Sequence, residues 1–391
     1  MKEKGISSTV TLVAVILVVL AGVGYFFLTR GPKEELPRGQ LVWSYITGGK
    51  IWAVATSADG DYSVAGGEDQ KVYFFGPGTS SLEYKTPLWI SGVGERVKTV
   101  DISENGTHLV VGSSREVYFF KKFDNRPFWK YHTGPWLLSV AISADSRYIM
   151  AGTSGKIYLF RDSDNMPLWN YEANARFDHV AISTNGDYLT AGSGEWKDSE
   201  WIGGVYLFVS SDNAPLWVYQ TIGEILSIDI SENGEFVVAS DGHAIYLFSN
   251  ADNIPLWSYR QNQEFYRSVA ISADGKYIVA GCGEGYQLEL VGGDKVYLFS
   301  NSDNIPLWSY HTGGYVRPVV ISAEGNQIVT ISDDTRIYTF GNADNIPLWS
   351  RIVEHGAVYG EQPLDVSADG NWIITLGDRT ILFFQATPNT H

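Results

Sequence analysis

Residues 268–281 (SVAISADGKYIVAG), 295–300 (KVYLFS) and 301–310 (NSDNIPLWSY) make up one copy of a unit whose repetition decides the fold. Each apolar run is four to six residues long, rich in Val, Ile, Tyr and Phe, and stopped by Gly, Asp, Asn or Pro, which reads as strand and turn in alternation. The unit can be followed by its tryptophan: Trp43, Trp89, Trp129, Trp169, Trp217, Trp257, Trp308 and Trp349, at intervals of 46, 40, 40, 48, 40, 51 and 41 residues. A period near 40–45 residues holding four short strands is that of a propeller blade. In unit three, taking the innermost strand as a, residues 140–143 are a, 148–152 b, 157–160 c and 167–171 d. Both faces of these runs are apolar, as expected of a sheet sandwiched between two neighbours.

Counting runs gives eight a-b-c sets, the last at 364–367, 372–377 and 381–384, while residues 41–45 form a d strand with no a-b-c before it. The sequence therefore predicts an eight-bladed β-propeller over 41–385, its N-terminal strand completing the last blade and removing exposed sheet edges. Asp59-Gly60, Asn105-Gly106, Asn185-Gly186, Asn233-Gly234, Asp274-Gly275 and Asp369-Gly370 stand between a and b, and predict two-residue hairpin turns with positive φ.

The remaining segments are a charged stretch at 1–5, an uncharged apolar run at 6–28, a linker at 29–40 and a tail at 386–391. As a helix, 23 residues span ~34 Å, enough for a ~30 Å hydrocarbon core, so one transmembrane helix is expected. Lys and Arg flank the run on both sides and do not fix its orientation. The chain carries a net charge of −16, which argues against a nucleic-acid partner. Its one cysteine, Cys282, excludes an internal disulfide.

The pattern VAIS-x-DG-x-YIVAG followed by VYLF resembles WD40 repeats, although neither the Gly-His nor the Trp-Asp dipeptide of that family recurs. The run VYLF, N-x-PLWSY, TGG is similar to PQQ-type repeats, in which a Trp docks between blades; that resemblance implies eight-bladed rings such as those of quinoprotein dehydrogenases and of a non-enzymatic outer-membrane assembly protein. Residues 4–8 (KGISS) and the apolar run after them resemble archaeal type IV pilins. That resemblance implies a cut between Gly5 and Ile6 and a propeller outside the cell; an uncleaved anchor of the same orientation is the alternative. The sequon Asn105-Gly106-Thr107 is compatible with an exterior location.

The eight register tryptophans are expected to be structural, each burying an indole whose N–H needs a partner. Turns such as Asp162-Ser-Asp164-Asn165 lack the Gly and further oxygens of a calcium loop, and no His spacing suits a metal, so no metal and no cofactor are expected. A quinoprotein dehydrogenase would use adjacent cysteines, which a single cysteine cannot supply. Insertions at 193–204, 282–294 and 352–363 fall in b-c and d-a connections, which share one face. Trp52, Trp136, Trp196, Trp201, Tyr286 and Tyr359 collect there, and Arg96, Lys98, Arg176, Arg267 and Arg317 fall just before a strands, where they are expected to ring the central opening for an anionic group. The expected protein is a membrane-anchored, extracytoplasmic, non-catalytic scaffold binding protein or glycan, able to self-associate through its helix. A pilin-like appendage subunit and a PQQ-type dehydrogenase are the alternatives.

Overall fold

The computed structural model describes residues 39–77, 85–262, 264–283, 293–353 and 363–386, and all their regular structure is β-strand. Within a unit the order is that read from the sequence. Tyr266–Ile271 (a), Tyr277–Cys282 (b), Lys295–Ser300 (c) and Trp308–His311 (d) pair antiparallel in succession.

The a-b turn is built differently from the expected two-residue hairpin. In the first unit Ser57 N–H donates to Tyr62 O (2.9 Å), closing a four-residue loop, and Gly60 N–H donates back to Ser57 O (2.9 Å). Only the glycine has positive φ (68°), whereas a primed turn needs two such residues. Ser57 Oγ donates to Asp59 Oδ1 (2.6 Å) and accepts from Tyr62 N–H (3.0 Å), so the buried serine and the acid supply what a longer strand would have. The same serine-to-Asx bond recurs at Ser103, Ser143, Ser183, Ser231, Ser272 and Ser367. The glycine is also needed for close approach. A Cβ at Gly60 would lie 2.3 Å from Trp372, and at Gly186 it would lie 2.3 Å from Tyr148. In six of the eight units the aromatic after a turn thus tucks under the turn glycine of the next unit, and the Trp372–Gly60 contact carries this from the last unit to the first. Ser146 takes the glycine's place in unit three, and Gln327 the aromatic's place under Gly370.

The D-N-x-P-L-W segment stitches units in both directions. Asn304 Nδ2 reaches back to Ser258 O of the preceding d strand (2.8 Å), and Asn165, Asn213, Asn253 and Asn345 do likewise. Trp257 Nε1 reaches forward to Asn301 O (3.1 Å), as Trp89, Trp129, Trp169, Trp217 and Trp349 do in their units. Trp308 Nε1 is buried without a hydrogen-bond partner. Each indole packs against the aromatic that ends a c strand, Trp257 on Phe299 at 5.5 Å and Trp129 on Phe119 at 5.2 Å. The core lies between sheets, where Phe74, Phe119, Phe160, Phe208, Phe248, Phe299 and Phe340 are fully buried. Burying a phenylalanine contributes about 1.5–3 kcal/mol, so these positions dominate the packing.

The expectation of eight separate blades behind a transmembrane helix is corrected. The described strands hydrogen-bond into seven sheets, six of four strands and one of six. Taking each continuous sheet as a blade, the propeller is seven-bladed with one blade of greater width. The wide sheet arises where units three and four join. Trp169–Ile182 runs unbroken from the d position of one into the a position of the next, and Arg176 pairs with both Ser154 and Gly194. In three other units this connection holds a glycine with positive φ (Gly94, Gly134, Gly313). Residues 172–177 (EANARF) contain neither Gly nor Pro, but neither do residues 260–265 (RQNQEF), where the strand does end, so this composition permits the unbroken strand without dictating it. Gln40–Ile46 pairs with Thr380–Gln385 as the outermost strand of the sheet whose other three strands come from the C-terminal end. No helix among the described residues is long and apolar enough to cross a membrane. The run 6–28, the Gly5–Ile6 junction, Tyr286 and Tyr359 lie outside those residues.

Trp257→Ala removes both the stack on Phe299 and the bond to Asn301 O. It is expected to destabilise the propeller by about 3–5 kcal/mol, against about 1 kcal/mol for Asn304→Ala. Urea denaturation of the two variants measures the difference, and equal losses would contradict the assigned roles.

Candidate partner-binding face

Two surfaces emerge at the end of the ring where b-c and d-a connections lie: a central opening and an arc of aromatic residues around it. A cavity of about 700 Å³ runs between the a strands and is lined by residues from every unit. At its mouth, β-bulges interrupt a-b pairing between Ile51 and Ala53, Val97 and Thr99, Leu137 and Ser139, Phe177 and His179, Tyr266 and Ser268, and Val316 and Val319. The bulges place Trp52, Lys98, Leu138, Asp178, Arg267 and Arg317 at one level of the ring, since an extra residue re-aims its side chain. The a strands were legible in the sequence; the bulges were not, because a one-residue insertion leaves the apolar alternation almost unchanged.

The five expected cations do not form one ring. Arg267 and Arg317 line the cavity and Trp52 joins them, whereas Arg96, Lys98 and Arg176 are not among its lining residues. Arg317 makes a two-point pair with Asp333 (2.8 and 2.9 Å), and Arg176 donates to Asp178 (2.8 Å). Deeper in the cavity stand three carboxylates that motif reasoning passed over: Asp101, Asp229 and Asp365, in the strand position held by Ala55, Ala141, Ala181 and Ala270 in other units. Each clasps the next a strand. Asp365 accepts from Thr56 N–H (2.8 Å), Asp101 from Ile142 N–H (2.9 Å) and Asp229 from Ile271 N–H (3.0 Å), and each also accepts from the N–H that follows it. Burial pushes Asp101 and Asp229 up to about 6 and Asp365 up to about 7, opposed by the backbone donors; the neighbouring charge of Asp101 adds to the rise at Asp365. All three are partly open to the cavity, which tempers the shift.

On the surrounding face, arginine and tryptophan meet at three successive joints between units. The Arg96 guanidinium lies 5.6 Å from the Trp52 ring, Arg115 4.9 Å from Trp136, and Arg176 5.6 Å from Trp201. Trp136 is half exposed and Trp196 is more so. Trp196 and Trp201 face each other across the hairpin formed by Tyr188–Lys197 and Glu200–Val209, whose strands are ten residues long. Apart from unit three, where b and c lie in the single strand Tyr148–Arg161, the other b strands have five or six. Asp198 and Ser199 both have positive φ (51° and 72°) and make the tight turn at its tip. The two indoles pack edge to face at 5.4 Å, and Asn174 Nδ2 ties Glu195 to the base (2.8 Å). The aromatic display is thereby held rigid before any partner arrives. Arg115 was missed in the sequence, although its place at a b-c turn (residues 113–116, SSRE) was a usable signal.

Cys282 is buried beside Glu264, which also takes Lys295 Nζ (2.7 Å), Tyr297 OH (2.7 Å) and Tyr266 OH (3.1 Å). Burial and the carboxylate push its thiol up, which makes it a packing residue rather than a nucleophile. Among the described residues no group of His, Cys, Asp or Glu is placed to hold a metal ion.

These features define a β-propeller. Residues 39–75 match the family model for the WD domain, G-beta repeat. Among curated proteins, none matches the chain. Solved structures similar to it include the Dos1 propeller (12% identity, TM-score 0.70, covering 90% of this chain and 96% of that one) and Sqt1 of Saccharomyces cerevisiae (13%, 0.71, 90% and 100%). At such identity the likeness is one of fold. The PQQ-type and pilin-type resemblances are not shown by these comparisons.

The raised carboxylates set the sign of one pH effect. Between about pH 4, where an unfolded aspartate ionises, and about pH 7, the folded chain holds protons that the unfolded chain has released. Their contribution to stability is thus greatest at the acid end and falls as pH rises through the folded values. Asp365→Ala is expected to flatten this fall between about pH 5 and 7 relative to the parent in urea denaturation; an unchanged slope would contradict a raised value at Asp365.

Proposed function

We propose that this chain is a non-catalytic protein-interaction scaffold that grips its partner with the arc running from Trp52 through Trp136 to the Trp196–Trp201 hairpin. The observation that carries the reading is the recurrence of an Arg–Trp pair at three successive joints of one face, beside a rigid hairpin presenting an exposed tryptophan. Tryptophan and arginine are the residue types that concentrate binding energy at interfaces. A guanidinium stacked on an indole keeps its outer N–H groups for a carboxylate while the ring offers apolar area. On a protein of net charge −16, these local cations favour a partner surface with carboxylates among apolar groups. Similarity of residues 39–75 to the WD domain family supports the scaffold reading, since such propellers commonly bind proteins. The extracytoplasmic location expected from the sequence belongs to this proposal as well.

A photoreactive residue at position 196, introduced into the full chain in its native cells, is expected to crosslink a discrete partner. Trp136→Ala or Arg115→Ala should weaken that capture by about 30-fold or more, the effect of losing a 2 kcal/mol anchor. Lys276→Ala, in an a-b turn, should leave it unchanged. Capture insensitive to Trp136 and Arg115 would sink the assignment, and binding of the purified propeller to immobilised glycans instead would replace a protein partner with a carbohydrate.

A further inference from the structure

The a-b turns are eight versions of one structure, and one of them carries a different chemistry. In the turns of Asn185 and Asn233 the side-chain amide is occupied: Asn185 Nδ2 donates to Asp187 (2.6 Å) and Asn233 Nδ2 to Glu235 (3.1 Å). At Asn105 the residue two places on is Thr107 instead of an acid. Its hydroxyl donates to Asn105 Oδ1 (2.6 Å), and Thr107 N–H donates to the same oxygen (3.0 Å). The backbone donor fixes which side-chain atom is the oxygen. Asn105 Nδ2 is left with no hydrogen bond among the described residues, on an exposed residue. Asn105-Gly106-Thr107 is the sole Asn-x-Ser/Thr sequence in the chain.

We propose that Asn105 is an acceptor for N-linked glycan. The chemistry needs a free amide nitrogen, a hydroxyl residue at the second following position and room for an enzyme to approach, and this turn supplies all three. The donor is an oligosaccharide carried on a lipid phosphate or pyrophosphate. A bond forms between Asn105 Nδ2 and sugar C1, the C1–O bond to the phosphate breaks, the lipid phosphate leaves with that electron pair, and one Nδ2 proton passes to a base. The competing reaction of an Asn-Gly pair, ring closure by Gly106 N on the side chain, is held back because that N–H donates to Ser103 O (2.8 Å) and a Cβ at Gly106 would lie 2.6 Å from Tyr62, so the turn is tightly packed. A glycan there would stand on the a-b end of the ring, opposite the Arg–Trp arc, leaving the proposed binding face uncovered. The inference rests on the extracytoplasmic location proposed above.

The test is peptide mass spectrometry on the full chain from its native cells, paired with protease accessibility of intact cells. The expected result is a sugar mass on the peptide containing Asn105, lost completely in Asn105→Asp and in Thr107→Ala and kept in Thr107→Ser. Asp fills the equivalent position in four other units (Asp59, Asp145, Asp274, Asp369), so Asn105→Asp preserves the turn. The peptides of Asn185 and Asn233 serve as internal controls and should stay unmodified. An unmodified or merely deamidated Asn105 on a propeller that external protease reaches would overturn the inference alone. The same finding on a propeller that protease reaches only after lysis would overturn it together with the extracytoplasmic reading.

Discussion

The structure depends on a stitch running in two directions from a single short segment. Asparagine in the D-N-x-P-L-W run bonds to a carbonyl of the unit before, and the tryptophan four residues later bonds to a carbonyl of the unit after. These contacts join the d strands, each the last strand of its unit, to the units on either side. Toward the axis, the serine turns link instead: Ala273 N–H donates to Ala323 O, Ala323 to Ala368 and Ala368 to Ala58, each at 3.0 Å, which carries the chain of bonds across the junction of the two ends. Apolar burial between sheets supplies the energy, while the outer and inner hydrogen bonds fix the angle at which each sheet meets the next.

That division leaves the two ends of the ring under different constraints. At the a-b end six of the eight turns present a glycine to a neighbour's aromatic ring, so the turns stay alike and differ mainly in their outward side chains, as at Asn105. At the other end such contacts are fewer, as between Gly242 and Phe265 and between Gly293 and Tyr315. There Trp169–Ile182 could run straight through without a break, and the hairpin of Tyr188–Lys197 and Glu200–Val209 could extend. Bulges at the starts of the a strands turn side chains toward the opening, and Arg96 and Arg115 settle over tryptophans of the adjacent unit. The variable face thus draws its character from residues of neighbouring units brought together, more than from any one loop.

Much of this was legible in the chain. The tryptophan period gave the unit, the order of strands within it and the d strand contributed by residues near position 41. The number of sheets was not legible, because residues 172–177 and 260–265 both lack Gly and Pro, yet the strand runs on through the first and breaks at the second. The cation ring failed for a related reason. Arginines near the start of equivalent strands have side chains long enough to choose among partners, and Asp333, Asp178 and the indoles of Trp52 and Trp201 were nearer than the cavity axis.

The three aspartates show the limit most plainly. In sequence Asp101, Asp229 and Asp365 are single substitutions of an alanine in an apolar run and read as irregularities. Their role depends on backbone N–H groups that lie about 40 residues or, for Asp365 and Thr56, most of the chain away. Periodicity of side chains is a local property and was written in the sequence. Which groups face one another across two sheets is set by the angle and register of packing, and only the folded ring decided it.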